Sequence, residues 1–194
     1  MRASALLIGP GLGRDPGCPE AARQAFSLAR DLGVPTVIDA DGIAALTHDL
    51  REMEASPVPV VVTPHRAEAR NLLGGEPDDH AVHAFARPDR VILRKGAVDL
   101  VSNGRRWQRN EHGNPRMAVG GTGDLLAGLT AGLLARGLTP FDAARLAVFW
   151  LTDTADGLWA EQGPCYLPEE ILPRLGPTLR RHMEALGSWP PVTG

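Results

Sequence analysis

The chain has 194 residues, 43% hydrophobic and 22% charged, enough apolar material for the core of one domain and too much for a disordered or fibrous protein. Twenty Lys and Arg against 23 Asp and Glu give a formal net charge of −3, so no electrostatic field favours nucleic acid or an anionic membrane, and the expected partner is a small molecule. The longest apolar stretch, Leu125 to Ala135, is about half a bilayer crossing, and the apolar run after Arg2 stops at Gly9-Pro10, too soon for a secretory core; a cytoplasmic protein is expected.

The first predicted strand, Ala5 to Gly9, runs into Gly9-Pro10-Gly11-Leu12-Gly13. That run has the glycine spacing of a strand-to-helix turn but neither the full dinucleotide fingerprint nor Walker A spacing, so a plain tight turn and ligand contact both stay open. Cys18 and Cys165 show neither metal nor redox spacing, and two reduced thiols are expected. From Pro19 to Leu32, Ala22, Ala25, Phe26, Ala29 and Leu32 recur at helical spacing, and a second strand, Pro35 to Asp39, completes a βαβ unit. It ends in Asp39-Ala40-Asp41-Gly42, where two carboxylates suit Mg2+ held through water, or where Asp41 caps the helix that follows.

A third strand, Val58 to Thr63, leads into Thr63-Pro64-His65-Arg66-Ala67-Glu68, where His65 is either a hydrogen-bonded loop histidine or a substrate contact. A fourth, Arg90 to Lys95, ends on a compositional oddity: of the 20 basic side chains 19 are Arg, and Lys95 is the exception. Codon bias accounts for the arginines but not for the lysine. An ammonium is a compact point charge that suits a phosphate in a way the planar guanidinium does not copy. The four strands are apolar on both faces, which implies a largely parallel sheet covered by helices above and below. Asp99 to Ser102 and Arg105 to Arg109 then flank Asn103-Gly104, which predicts an antiparallel hairpin closed by a tight turn.

The stretch from Gly113 to Gly123 is too rich in glycine for regular structure and leads into an apolar helix, Asp124 to Arg136. At the junction stands Gly120-Gly121-Thr122-Gly123-Asp124. Glycines admit a ligand close to the backbone, and the unpaired amides of a helix start, helped by the helix dipole, form an anion site. Asp124, in the first turn, is either an ordinary N-terminal carboxylate or a base beside that site. Thr139 and Pro140 open a further helix to about Ala160, and the Pro-rich stretch from Pro164 holds one or two short helices and a disordered end. Every candidate lies at the carboxyl end of a strand or the amino end of a helix, the edge where open α/β sheets bind ligands.

Taken in order, Gly9-Pro10-Gly11-Leu12-Gly13, Asp39-Ala40-Asp41-Gly42, Thr63-Pro64-His65-x-x-Glu68, Lys95-Gly96-Ala97 and Gly113-Asn114-Pro115-x-Met117-Ala118-x-Gly120-Gly121-Thr122-Gly123-Asp124 resemble the ADP- or ATP-dependent NAD(P)H-hydrate dehydratases. The resemblance runs over nearly the whole chain, and Asn-Pro-x-Met is its most specific part. It implies a ribokinase-like three-layer α/β/α sandwich with a mostly parallel sheet and one hairpin, and a repair reaction that restores hydrated NADH or NADPH at the expense of ADP or ATP. By the same analogy Asp124 is the catalytic base and the Gly121 to Gly123 amides stabilise the transferring phosphoryl group. Gly11, Gly13, His65 and Asp124 would contact the hydrated dinucleotide. Lys95, Gly96, Ala97, Val98, Asp99, Thr122 and Gly123 would hold the nucleotide, with Mg2+ near Asp41 and Glu68.

The chain departs from the family pattern at Arg66, Arg116, Val119 and Asp99, the last standing where Thr is usual. A carboxylate beside a nucleotide phosphate calls for compensation from an Arg such as Arg94 or Arg105. One domain, 1–186, is expected, with a flexible tail over 187–194. It would be short at its amino terminus, because only Met1 to Ser4 precede a strand that the family reaches after several tens of residues. In so shortened a sheet Leu6 to Ile8 and Val58 to Val62 would be exposed, which points to a homo-oligomer. Two alternatives use the same residues: a ribokinase-like kinase of a small alcohol, and an inactive nucleotide-binding fragment.

Overall fold

The computed structural model describes residues 3–13 and 15–188. Six strands lie side by side in chain order: β1 (Leu6–Ile8), β2 (Thr36–Ile38), β3 (Val60–Val62), β4 (Arg90–Arg94), β5 (Asp99–Ser102) and β6 (Trp107–Asn110). The first four are parallel and in step, with Ile8, Ile38, Val62 and Ile92 paired across the sheet, and β5 and β6 add the antiparallel hairpin. That common register brings the chain out of β1 to β4 along one edge.

Alternation along each strand sorts its side chains to two faces. Ile8, Ile38, Val60, Val62, Ile92 and Leu100 pack against α1 (Cys18–Asp31), α2 (Asp41–Glu52), α3 (Arg66–Leu73) and α4 (Asp79–Phe85) through Phe26, Ile43, Leu46, Leu72 and Val82. Val37, Val61, Val91, Leu93 and Val101 pack against α5 (Thr122–Ala135) and α6 (Pro140–Gln162), with Tyr166 and Ile171 closing the layer before α7 (Leu172–Ala185). This is the expected three-layer sandwich. The helix α5 is apolar nearly all round because it is wedged between sheet and α6.

Three expectations need correction. The Val58–Val62 run is not exposed: β3 lies between β2 and β4, and Val60 to Val62 are buried. The hairpin is not closed by a two-residue turn. Asn103 does not take the positive φ such a turn needs; its side-chain oxygen instead accepts from the amides of Arg105 and Arg106, making a four-residue loop. The carboxyl-terminal stretch holds a full 14-residue helix, α7, that includes Pro177. Its tertiary bonds explain this: Trp150 donates to Leu175 O, and Arg181 and His182 both reach Asp153. Of the expected tail, 189–194 lie outside the described residues. Both thiols are free, and no helix among the described residues is long and apolar enough to cross a membrane.

Candidate functional site

At the carboxyl edge of the parallel strands a cavity of about 870 Å³ opens between the β4–β5 turn, the Gly113–Val119 segment and the amino end of α5. Lys95, Gly96, Ala97, Asp99, Thr122, Gly123 and His65 line it, so seven of the residues singled out from sequence do come together. Met117, Leu126, Val148 and Leu151 give it an apolar inner wall. Gly11, Gly13, Asp41, Glu68, Val98, Gly121 and Asp124 are not in its lining. A second cavity, of about 520 Å³ between β6 and α6, shares His112 and Val148 with the first and holds none of the motif residues.

The amino end of α5 is built as the glycines suggested. Gly121 starts the helix at φ +95°, a conformation Gly alone adopts freely, and no side chain caps it. The first-turn amides are left for a ligand. Thr122 adds a hydroxyl that is buried yet has no hydrogen-bond partner, and a buried orphan of this kind is costly until something binds it. Asp124 follows in the same turn and is exposed.

Beneath this turn, Lys95 Nζ donates to Asp39 Oδ1 at 2.6 Å. Asp39 is 2% exposed and engaged in an ion pair with the chain's only lysine, so of the Asp39-Asp41 pair the Mg2+ option rests on Asp41. Asp99 serves the turn itself: Gly96 N–H donates to Oδ1 at 3.0 Å and the Asn110 amide to Oδ2 at 3.2 Å. Burial pushes the Asp99 carboxyl above its ordinary pKa, opposed by those two donors and by the charges of Arg94 and Lys95. Of the two arginines suggested as compensation, Arg94 sits with Asp79 at 2.9 Å and Arg105 is exposed in the hairpin loop.

His65 caps α3. Its Nδ1 accepts from Ala67 N and Glu68 N, so the ring proton belongs on Nε2, which lies 3.3 Å from Glu68 Oε1. The other Glu68 oxygen accepts from His65 N at 2.8 Å, completing a capping box. Thus Glu68 fixes His65. Among the described residues no three His, Cys, Asp or Glu gather to hold a metal by themselves.

The Gly113–Met117 segment is tied down by residues that carry no local motif. Asp156 of α6 accepts from Gly113 N at 2.8 Å and from the Asn114 amide at 3.0 Å. The Tyr166 hydroxyl donates to Asn114 Oδ1 at 2.7 Å, and burial pushes that phenol above its usual pKa. Arg116 Nε donates to Tyr166 O at 2.8 Å, which gives this unusual arginine a structural task. Tyr166 could have been flagged as the chain's one tyrosine; Asp156 has no such signal.

Comparison with known proteins agrees with this geometry. The sequence pattern of the family Carb_kinase, NAD(P)H-hydrate dehydratase, matches residues 1–176. The bifunctional NAD(P)H-hydrate repair enzyme Nnr of Hyperthermus butylicus is 37% identical over 97% of this chain, and that of Salinibacter ruber 40% over 75%. The chain spans 37% and 28% of their respective lengths. The ADP/ATP-dependent NAD(P)H-hydrate dehydratase of Bacillus subtilis, co-crystallised with ATP and Mg2+, superposes with a TM-score of 0.78 at 26% identity, over 92% of this chain and 64% of that one. Hydroxyethylthiazole kinase of Pyrococcus horikoshii gives 0.73, also at 26%, over 92% and 72%.

Proposed function

Because the chain belongs to the NAD(P)H-hydrate dehydratase family, we propose that it converts hydrated NADH or NADPH back to the dinucleotide while consuming ADP or ATP. The observation that carries this reading is the 870 Å³ cavity set against an uncapped helix start, with an ammonium and an unpartnered hydroxyl in its wall. The polar end suits phosphates and the apolar wall suits a base.

The nucleotide is proposed to enter with its base against Met117, Leu126, Val148 and Leu151, and its phosphates toward Lys95 and the amides of Thr122 and Gly123. The Gly96 to Asp99 turn flanks it. Gly11 and Gly13, which are not in the cavity's lining, and His65, which is, are the proposed contacts of the hydrated dinucleotide. Asp124 takes the proton of the ring hydroxyl as that oxygen attacks the terminal phosphorus, and the bond to the nucleotide's bridging oxygen breaks. The Gly121 to Gly123 amides hold the charge on the transferring group. Phosphate then leaves the ring, pushed by the ring nitrogen, while the neighbouring carbon gives up a proton.

Mg2+ is carried by nucleotide phosphates and keeps much of its water shell, so one or two carboxylates suffice. Asp41 and Glu68 are the candidates, Glu68 only by giving up a contact to His65, and the ion would supply neutralisation of phosphate charge. A cytoplasmic setting, where reduced dinucleotides meet adenine nucleotides, and a homo-oligomer belong to the same reading.

The test is to incubate the purified chain with hydrated NADPH, Mg2+ and either ADP or ATP, following dihydronicotinamide absorbance. A nucleotide-dependent rise is expected. A flat trace from folded protein would sink the proposal, and a stable phosphorylated product would favour the kinase alternative.

A further inference from the structure

Three charges meet under the first turn of α5. The Lys95 ammonium lies 3.3 Å from where a Cβ on Gly123 would stand, and the nearer Asp39 oxygen to that point is 3.7 Å away. A helix amino end is the positive end of the dipole, so a lysine pressed against it is electrostatically out of place. What offsets both is the Asp39 carboxylate, almost fully buried, with Lys95 Nζ 2.6 Å from Oδ1.

The backbone around Asp39 is shaped to hold it there. The next residue, Ala40, has φ +49° and ψ −131°, the one positive φ outside glycine among the described residues. Such a conformation persists only where the surroundings over-determine it. They do so here: a Cβ on Gly9 would stand 1.7 Å from Asp39 O, and one on Gly42 would stand 2.7 Å from Ile8 O. Two glycines let the ends of β1 and β2 close on each other, and the strained turn leaves the Asp39 side chain below α5.

We infer that Asp39 is a positioning residue: it holds the Lys95 ammonium at the amino end of α5, where that ammonium meets the nucleotide's terminal phosphates, and Asp39 itself touches no ligand. The inference rests on the nucleotide-dependent function proposed above. It explains why a single lysine stands among 19 arginines. A guanidinium has neither the compactness to fit between Asp39 and Gly123 nor the freedom to turn one donor to a carboxylate and another to a phosphate.

The test is a double-mutant cycle of Asp39→Asn and Lys95→Met, read as nucleotide KM and kcat with hydrated NADPH saturating. Losing a charge-assisted contact is expected to raise the nucleotide KM of Asp39→Asn about tenfold, with a smaller change in kcat. In the Lys95→Met background the same substitution should add less than about twofold. Equal factors in both backgrounds, or an unchanged KM, overturn the inference.

A second measurement stands even if Asp39→Asn does not fold. Because the chain has one lysine, protein labelled with 15N-lysine gives one side-chain ammonium resonance. In the wild type it should be protected from solvent exchange without nucleotide and should move on adding ADP. A resonance that behaves as a free lysine, or that ignores ADP, overturns the positioning role. A protected resonance that moves with ADP, in protein that restores no dihydronicotinamide, overturns the proposed reaction and leaves the positioning role standing.

Discussion

Asp124 shows how far single residues can be taken from sequence. A carboxylate in the first turn of a helix is most often there for the dipole, worth a fraction of a kcal/mol, and Asp124 occupies such a position on an exposed surface. If it is the base of the proposed reaction, Asp124→Asn should lower turnover by at least about 10²-fold, the usual scale of general-base catalysis, while ADP affinity stays within a few fold. Loss of ADP binding together with turnover would make the residue structural. Asp99 carries a different prediction. Burial raises its pKa, so over the window just above the ordinary Asp value the folded chain keeps a proton that the unfolded chain has lost. Stability therefore falls as pH rises through that window and stays lower above it. Asp99→Asn keeps an acceptor for Gly96 N–H and removes the buried charge. It should stabilise the protein at about pH 7.5 and much less at about pH 4, as read by urea unfolding at both; an equal effect at the two values would mean the charge is not the cause.

At the scale of elements, what could be read was what repeats. Four strands apolar on both faces, a helix with apolar residues at i, i+3 and i+4, and an Asn-Gly between two alternating runs each leave a periodic trace, and β1 to β5, α1 and the hairpin were legible from it. What could not be read depends on distant partners. The short helices α3 and α4 span only eight and seven residues, with buried residues Ala69, Leu72 and Val82 their main anchors, too few to set a period. The helix α7 contradicts its own composition and stands because Asp153 and Trp150 of α6 hold it. The same holds for the site. Its glycines and Lys95 were legible because they are unusual residues, whereas Asp156 becomes visible only when α6 is packed against the Gly113–Met117 segment. Truncating it removes two acceptors from that segment. Asp156→Ala is expected to cost about 1–3 kcal/mol and to raise the nucleotide KM several-fold more than it lowers kcat, because the loosened segment forms one wall of the cavity. Steady-state kinetics beside thermal unfolding check this, and a stability loss with an unchanged KM would limit Asp156 to the fold.

Across the whole molecule, the consequence still to be tested lies at the edge of the sheet. Both faces are covered by helices, and β2 to β5 are flanked on both sides, but β1 pairs only with β2 among the described residues. Leu6 N donates to Pro35 O toward β2, so by alternation the Leu7 amide points the other way, and Leu6 and Leu7 are only half-buried while Ile8 is buried. Leu28 of α1 and Leu32, which caps that helix, are more than half exposed, at 57% and 55%. A parallel sheet whose interior strands are fully enclosed does not ordinarily end in an apolar strand open to water, and such an edge is a template for another strand. The homo-oligomer proposed above would cover this edge, which is bare among the described residues, and calls on no exposure of β3. Light scattering after gel filtration at micromolar concentration should therefore give a mass of at least two chains, and the Leu7 amide should exchange as slowly as those of β2. A monomer in which Leu7 exchanges freely would show that three residues of edge strand, shielded in part by the α5 residues that touch β1, are short enough to stay unpaired.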